Sequence, residues 1–133
     1  MALIKLYHGP LPMAELYQAL KGPKFGGTGI FIGTVREWTG DEHTESIAYT
    51  AYEEMAIKEL EKLAEAVEAK GSRVVIAHRL GEAKVEEEVV FVGVASVHRY
   101  EALTACHQLI DDLKKSVPIW KKEIDGEEER WGK

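Results

Sequence analysis

A nearly continuous apolar run at residues 89–97 constrains the fold more than any other feature of this chain. Apolar side chains fall on both faces of an extended segment here, and only Gly93 and Ser96 interrupt them. The run is too short to cross a membrane, because a spanning helix takes about 20 residues. A strand with two apolar faces needs cover on both sides. Residues 89–97 therefore predict a central, buried strand.

Hydrophobic periodicity elsewhere predicts alternating strands and helices. Strands are predicted at residues 3–7, 30–35, 47–52, 73–80 and 119–124, the last at a sheet edge. Helices are predicted at residues 12–20, at residues 55–67 with an end at Gly71, and at residues 100–116 before Pro118. The apolar faces of the last two helices are predicted at Met55, Leu60, Leu63, Ala64 and Val67, and at Leu103, Cys106, Ile110, Leu113 and Val117. Residues 21–29 and 37–45 are predicted as loops, and residues 127–129 as a solvated tail. This order indicates an α+β fold with a mixed sheet.

Size and composition limit the class of protein. A length of 133 residues suits one domain, so we predict a single domain over residues 1–133. A net charge of -6 argues against nucleic-acid binding. One cysteine, Cys106, excludes an internal disulfide and favours a reducing cytoplasm. The first ten residues lack the pattern of a signal peptide, and we expect no membrane partner.

Four lysines cluster against this negative charge. Lys114, Lys115, Lys121 and Lys122 fall in a stretch of ten residues that holds no carboxylate. Lysines in the last helical turn can simply complement the helix dipole, but that does not account for the pair beyond Pro118. The cluster therefore predicts a site for an anionic molecule or an acidic peptide. A lysine beside apolar surface, as expected for Lys114, suits acid–base or nucleophilic chemistry.

His98 and Arg99 stand where the central strand gives way to the last helix. Free backbone N–H groups at such a junction can bind a phosphate. Alternatively, Arg99 pairs with a surface carboxylate and His98 packs against its neighbours. Arg36 ends another predicted strand, and its side chain would reach the same site as His98 and Arg99. Strand ends of this kind are frequent site positions in α/β sheets.

Other reactive side chains give weaker patterns. Cys106 lies on the apolar face of the last helix, which favours a buried structural thiol over a nucleophile. The five histidines show no metal-ligand spacing, so we predict no metal and no cofactor. The glycines of residues 26–29 lack the lysine and spacing of a phosphate-binding loop.

Four segments, taken in order, carry a resemblance to a known family. They are Phe31-Ile32-Gly33-Thr34-Val35-Arg36, His78-Arg79-Leu80-Gly81-Glu82, Val92-Gly93-Val94-Ala95-Ser96-Val97-His98-Arg99 and Leu113-Lys114-Lys115-Ser116-Val117-Pro118-Ile119-Trp120-Lys121-Lys122-Glu123. Together they resemble the large catalytic subunit of molybdopterin synthase over nearly the whole chain. The resemblance implies an α/β hammerhead with an additional antiparallel β-sheet.

The resemblance also implies an activity and partners. Family members convert cyclic pyranopterin monophosphate (precursor Z) into molybdopterin by adding two sulfurs. The sulfur arrives as a thiocarboxylate on the C-terminus of a small ubiquitin-like subunit. The family assembles as a heterotetramer around a homodimer of the large subunit. Sulfur supplied by a partner would explain why the enzyme needs no exposed cysteine.

Site residues are implied in the same way. The substrate pocket would be lined by Arg36, His98, Arg99, Lys114 and Lys121, with Thr34, Val35, Lys122 and Glu123 beside them. His98 and Arg99 suit the pterin and the cyclic phosphate. Lys114 and Lys121 are the predicted catalytic residues, which would hold the thiocarboxylate and stabilise an oxyanion, with proton transfer or a transient covalent link assigned to Lys114.

The chain departs from the family pattern in two places. Thr34 stands where relatives can carry a lysine, and Val85-Glu86-Glu87-Glu88 lacks a glycine that relatives often have in that turn. Two other classes are considered, a non-catalytic anion-binding or regulatory domain and a sulfurtransferase that depends on Cys106.

Overall fold

The structure is a computed structural model that describes residues 2–132. Met1 and Lys133 lie outside the described residues. The elements are, in chain order, β1 (Leu3–Tyr7), α1 (Met13–Leu20), β2 (Gly27–Thr34), β3 (Trp38–Thr39), β4 (Glu42–His43), β5 (Ser46–Ala51), α2 (Glu53–Glu68), β6 (Arg73–Arg79), β7 (Gly81–Lys84), β8 (Glu88–Ser96), α3 (Arg99–Ser116), β9 (Ile119–Asp125) and β10 (Glu128–Gly132).

The first sheet has the strand order β1-β6-β8-β2, with β1 and β6 parallel and the other pairs antiparallel. Strand β8 is central, as predicted from its two apolar faces. Val92 and Val94 point to α2 and α3, whereas Phe91 and Ala95 point to α1. Burial of a valine or phenylalanine side chain contributes roughly 1.5–3 kcal/mol, and burial of the alanine methyl group contributes less. This layered core fixes the position of α3 and of the strands around it.

The second sheet is fully antiparallel, in the order β10-β9-β5-β7. The α+β class with an additional antiparallel sheet is therefore confirmed. The prediction of an edge strand at residues 119–124 is wrong, because β9 lies between β5 and β10. Residues 127–129 are exposed, as predicted, but they do not form an irregular tail, since Glu128 and Glu129 belong to β10. Gly126 makes the turn of the β9–β10 hairpin with a φ of +63°.

Two predicted loops contain strand. Residues 27–29 begin β2, where glycines let α3 pack against the sheet. A Cβ on Gly29 would lie 2.8 Å from the carbonyl oxygen of Ala102. Residues 37–45 contain the short β3–β4 hairpin, in which Trp38 pairs with His43. The turn that lacks a glycine is closed by Glu86, which takes a left-handed φ of 77°.

The helices follow the predicted ranges, but the residues that they bury differ in part from those predicted. Met55 and Leu103, predicted on buried faces, are 56% and 59% exposed. The residues that α2 and α3 bury are Ala56, Leu60 and Ala64, and Ala102, Cys106, Leu109 and Leu113. Small alanines allow close packing of the helices on the sheet, which periodicity in large residues does not reveal. None of the helices in the described part of the chain is long and apolar enough to span a membrane.

Candidate active site

A cavity of about 450 Å³ lies where the two sheets meet the C-terminal end of α3. Strands β2 and β8 form one wall, and β5 and β9 form another. Its polar lining residues are Thr34, Arg36, Thr39, Tyr49, His78, Lys114, Lys121 and Glu123. The rest of the lining is mostly apolar, with Val92, Val117 and Ile119 among the buried members. Three cations from three parts of the chain therefore face a partly apolar cavity.

The two lysines reach the cavity because α3 ends sharply. The backbone of Val117 is extended, so the chain turns out of the helix before Pro118 and enters β9. Lys114 projects from the last turn of α3 beside the buried Leu113. Lys121 projects from β9, two residues after the buried Ile119, and alternation along the strand places both on the cavity side. The sharp end of α3 and the strand that follows it thus bring the predicted catalytic pair to one cavity.

Glu123 is the carboxylate of this cavity, and its side chain is only 17% exposed. Its Oε2 lies 3.9 Å from the Nζ of Lys121, on the same face of β9. Its Oε1 accepts a hydrogen bond of 3.0 Å from the hydroxyl of Thr44. A fixed carboxylate next to Lys121 holds that ammonium group in place by charge attraction.

Tyr49 and His78 line the cavity as a neutral pair that the sequence analysis missed. Their rings meet edge to face, with centroids 4.9 Å apart. His78 Nδ1 donates to the carbonyl oxygen of Arg79 at 2.8 Å, and burial lowers the pKa of His78 despite that bond. Burial and the charge of Glu123 raise the pKa of Tyr49. Alternation in β5 marks Tyr49 as half-buried, but only strand pairing places it opposite Lys121.

His98 and Arg99 do not line this cavity in the described chain. Both are exposed at the N-terminal end of α3, whereas Lys114 is near the C-terminal end. At 1.5 Å per residue, Arg99 and Lys114 are about 22 Å apart along the helix axis. Within a single chain, the predicted phosphate-binding residues therefore lie far from the predicted catalytic lysines.

Val35 and Lys122 also lie away from the cavity. Val35 is buried in a small apolar cluster with Ile47 and Val89. Lys122 follows Lys121 in β9 and so points to the other face, where its Nζ is 3.3 Å from Glu129. Of the nine residues implied by the resemblance, the cavity brings together Thr34, Arg36, Lys114, Lys121 and Glu123.

Comparison with known proteins identifies the family. Residues 6–116 match the model of the MoaE protein family. The chain belongs to the MoaE family. The matched range includes Arg36 and Lys114 and ends before Lys121. The resemblance found in the sequence is therefore confirmed.

Two curated relatives of this MoaE chain are molybdopterin synthase catalytic subunits. The molybdopterin synthase catalytic subunit 1 of Mycobacterium tuberculosis is 37% identical over 129 residues, which cover 96% of this chain and 88% of that protein. The molybdopterin synthase catalytic subunit of Drosophila melanogaster is 40% identical over 128 residues, covering 93% of this chain and 35% of that protein. The chain thus spans about a third of the length of the Drosophila relatives that it matches.

Solved structures share the fold of this MoaE chain. Molybdopterin synthase from Staphylococcus aureus matches with a TM-score of 0.91 and 32% identity, covering 96% of this chain and 95% of that one. A complex of subunits 1 and 2 of molybdopterin-converting factor from Helicobacter pylori matches with a TM-score of 0.84 and 25% identity, covering 98% and 90%. The fold implied by the resemblance is confirmed by these matches.

The cysteine of this MoaE chain is part of the core. Cys106 is buried, and its Sγ donates to the carbonyl oxygen of Val92 at 3.4 Å. Burial raises the pKa of the thiol, which disfavours the reactive thiolate. Within residues 2–132, no three His, Cys, Asp or Glu side chains are grouped so that they could hold a metal ion.

Proposed function

We propose that this chain is the catalytic subunit of a molybdopterin synthase. It converts precursor Z into molybdopterin with two sulfurs from the thiocarboxylated C-terminus of a small subunit. The observation that carries the proposal is the convergence of Arg36, Lys114 and Lys121 on one cavity of a chain with a net charge of -6. The names of the curated relatives support the same activity.

The charges of the cavity suit an anionic acyl donor. Lys114 and Lys121 hold the thiocarboxylate while its sulfur displaces an oxygen substituent from a carbon of the substrate and forms a thioester. They then stabilise the oxyanion that forms when water attacks the acyl carbon, which leaves the sulfur on the substrate and a carboxylate on the small subunit. Glu123 keeps Lys121 in place, and Lys114 transfers the proton. Arg36 can make two parallel hydrogen bonds to a phosphate or a carboxylate. The phenol of Tyr49 and the imidazole of His78 add polar groups without adding charge.

A homodimer would complete the site. Strand β2 is an edge strand with Ile30 and Ile32 on its open face, 38% and 44% exposed. A two-fold axis that pairs two β2 edges makes them antiparallel. The Gly27 end of one β2, which contacts Arg99, then lies beside the Thr34 end of the other, at the cavity. In this arrangement, His98 and Arg99 of each copy serve the cavity of the other.

The remaining partners follow from this assembly. Two small ubiquitin-like subunits bound to the homodimer make a heterotetramer, and the complex of two subunits from Helicobacter pylori supports a small-subunit partner. The substrate is a pterin phosphate, held by cations at the cavity mouth. The enzyme works in the cytoplasm, in keeping with a single, buried cysteine.

Reconstitution tests the proposed function directly. Purified chain, the thiocarboxylated small subunit and precursor Z are mixed, and the dithiolene product is measured over a single turnover. We expect product only when all three components are present. Tight binding of precursor Z without any product, from a small subunit shown to be charged, would instead support a non-catalytic anion-binding domain.

A further inference from the structure

Arg130, in β10, connects two parts of the cavity wall. Its Nη2 donates to the carbonyl oxygen of His43 at 2.8 Å and to the hydroxyl of Thr44 at 3.3 Å. Its Nε lies 3.1 Å from Glu42, and its Nη2 lies 3.9 Å from Glu123. The side chain is only 20% exposed. One guanidinium thus contacts three consecutive residues of the 37–45 segment and the carboxylate of the cavity.

Both of the parts that Arg130 connects contribute lining residues. Arg36 and Thr39 flank the start of the 37–45 segment, and Lys121 and Glu123 belong to β9. The hydroxyl of Thr44 receives a hydrogen bond from Arg130 and donates one to Glu123. The contacts therefore form a chain from the 37–45 segment through Arg130 to the carboxylate beside Lys121.

Charge makes this guanidinium necessary. Three carboxylates lie within 4 Å of it, those of Glu42, Glu123 and Glu128. Carboxylates this close repel one another unless a cation lies between them. A planar guanidinium can serve several acceptors from one position, whereas a lysine ammonium offers a single charged atom.

We propose that Arg130 is a positioning residue for the reaction, acting through the 37–45 segment and Glu123 without contact with the substrate. The inference rests on the proposed function. Arg130 holds the 37–45 segment, next to Arg36, against β9, which carries Lys121. Both cations are thereby kept at the same cavity. A small displacement of reacting groups is costly, because rates depend steeply on geometry.

Two substitutions and a matched control test this role. Arg130→Gln removes the positive charge and the planar set of guanidinium N–H donors, whereas Arg130→Lys keeps only the charge. Glu128→Gln is the control, because Glu128 is 69% exposed and contacts only the outer Nη1 of Arg130, at 3.4 Å. Hydrogen exchange of residues 37–45 is measured in the free proteins. Single-turnover rates are measured with saturating precursor Z and charged small subunit, and circular dichroism checks the fold.

Arg130→Gln is expected to speed exchange in residues 37–45 and to lower the single-turnover rate on the order of tenfold to a hundredfold. Arg130→Lys should show both effects to a smaller degree, and Glu128→Gln neither. Unchanged exchange overturns the inference, and so does faster exchange with an unchanged rate. If Arg130→Gln does not fold, Arg130→Lys decides by the same two measurements. A wild-type protein without product would refute the proposed function separately, since the exchange measurement needs no substrate.

Discussion

At the scale of single residues, the cavity lysines can be recognised from their charge in the sequence, whereas Tyr49 and His78 are placed in the cavity by the packing of the strands. Lys114 and Lys121 were predictable, because clustered cations that oppose the net charge stand out in a sequence, whereas Arg36 was assigned to the site from the family resemblance. Tyr49 and His78 were not, since their place in the cavity depends on how β5 pairs with β9 and on where β6 lies. His98 and Arg99 were found as a motif, but their distance from Lys114 follows from the length of α3.

Cys106 gives a prediction that separates the proposed enzyme from a cysteine-dependent sulfurtransferase. Cys106→Ala should retain the single-turnover rate of the wild type, because the thiol is buried and outside the cavity. Its cost should be limited to stability, about 1 kcal/mol in urea unfolding, the typical effect of a core substitution. Loss of product with an intact fold would revive the cysteine-dependent mechanism.

Gly29 gives a prediction about packing. Gly29→Ala should destabilise the protein by about 1–3 kcal/mol, because the new methyl group meets backbone atoms of α3. Gly9→Ala is the matched control, since a Cβ there has nothing within 4 Å. Urea unfolding of both variants is the measurement. Equal stabilities would mean that α3 does not press on β2 as described.

At the scale of elements, the apolar segments were predictable and the charged ones were not. Strand β8 and helix α3 follow from their own periodicity. Strands β7 and β10 carry few large apolar residues, so their sequences resemble loops. Their hydrogen bonds are made with β5 and β9, their neighbours in the second sheet. Strand pairing of this kind depends on neighbours and cannot be read from the segment alone.

The 37–45 segment should loosen as the pH rises. A hydrogen bond to Asp125 is the main reason that the pKa of His43 is raised above its ordinary value of about 6.5. Asp125, Glu37 and Glu45 favour the protonated imidazole, and Arg130 binds its backbone carbonyl. The stabilisation is fully present below pH 6.5 and is lost as the pH rises through the raised pKa.

Hydrogen exchange of residues 37–45, measured between pH 6 and pH 9 and corrected for intrinsic rates, tests this dependence. Wild-type protection should fall across that range by more than in His43→Gln, which has no titrating group at this position. The same pH profile in both proteins would show that the contact between His43 and Asp125 does not hold the segment.

At the scale of the whole molecule, the proposed site belongs to a dimer. The residues of the site were predicted from the sequence, but within one chain His98 and Arg99 lie far from Lys114. The open edge of β2 and the exposed side chains of Ile30 and Ile32 favour binding of a second copy along this strand. In the proposed dimer, symmetry brings His98 and Arg99 of one copy to the cavity of the other.

Mixed dimers test this arrangement. Arg99→Ala and Lys114→Ala should each be nearly inactive, because each impairs both sites of a homodimer. Mixing the two variants under conditions that exchange subunits should restore about a quarter of the wild-type activity, because random pairing leaves one site in four intact. Failure to restore activity, with subunit exchange demonstrated, would place Arg99 and Lys114 outside a shared site.

The most direct test of the central claim compares neighbouring lysines in a single turnover. Wild type, Lys114→Ala and Lys115→Ala are each mixed with charged small subunit and precursor Z, and the dithiolene product is followed. Lys115 is exposed next to Lys114 but does not line the cavity. We predict product from wild type and from Lys115→Ala at similar rates, and a loss of roughly a hundredfold in Lys114→Ala. No product from wild type, or equal rates in all three proteins, would contradict the account.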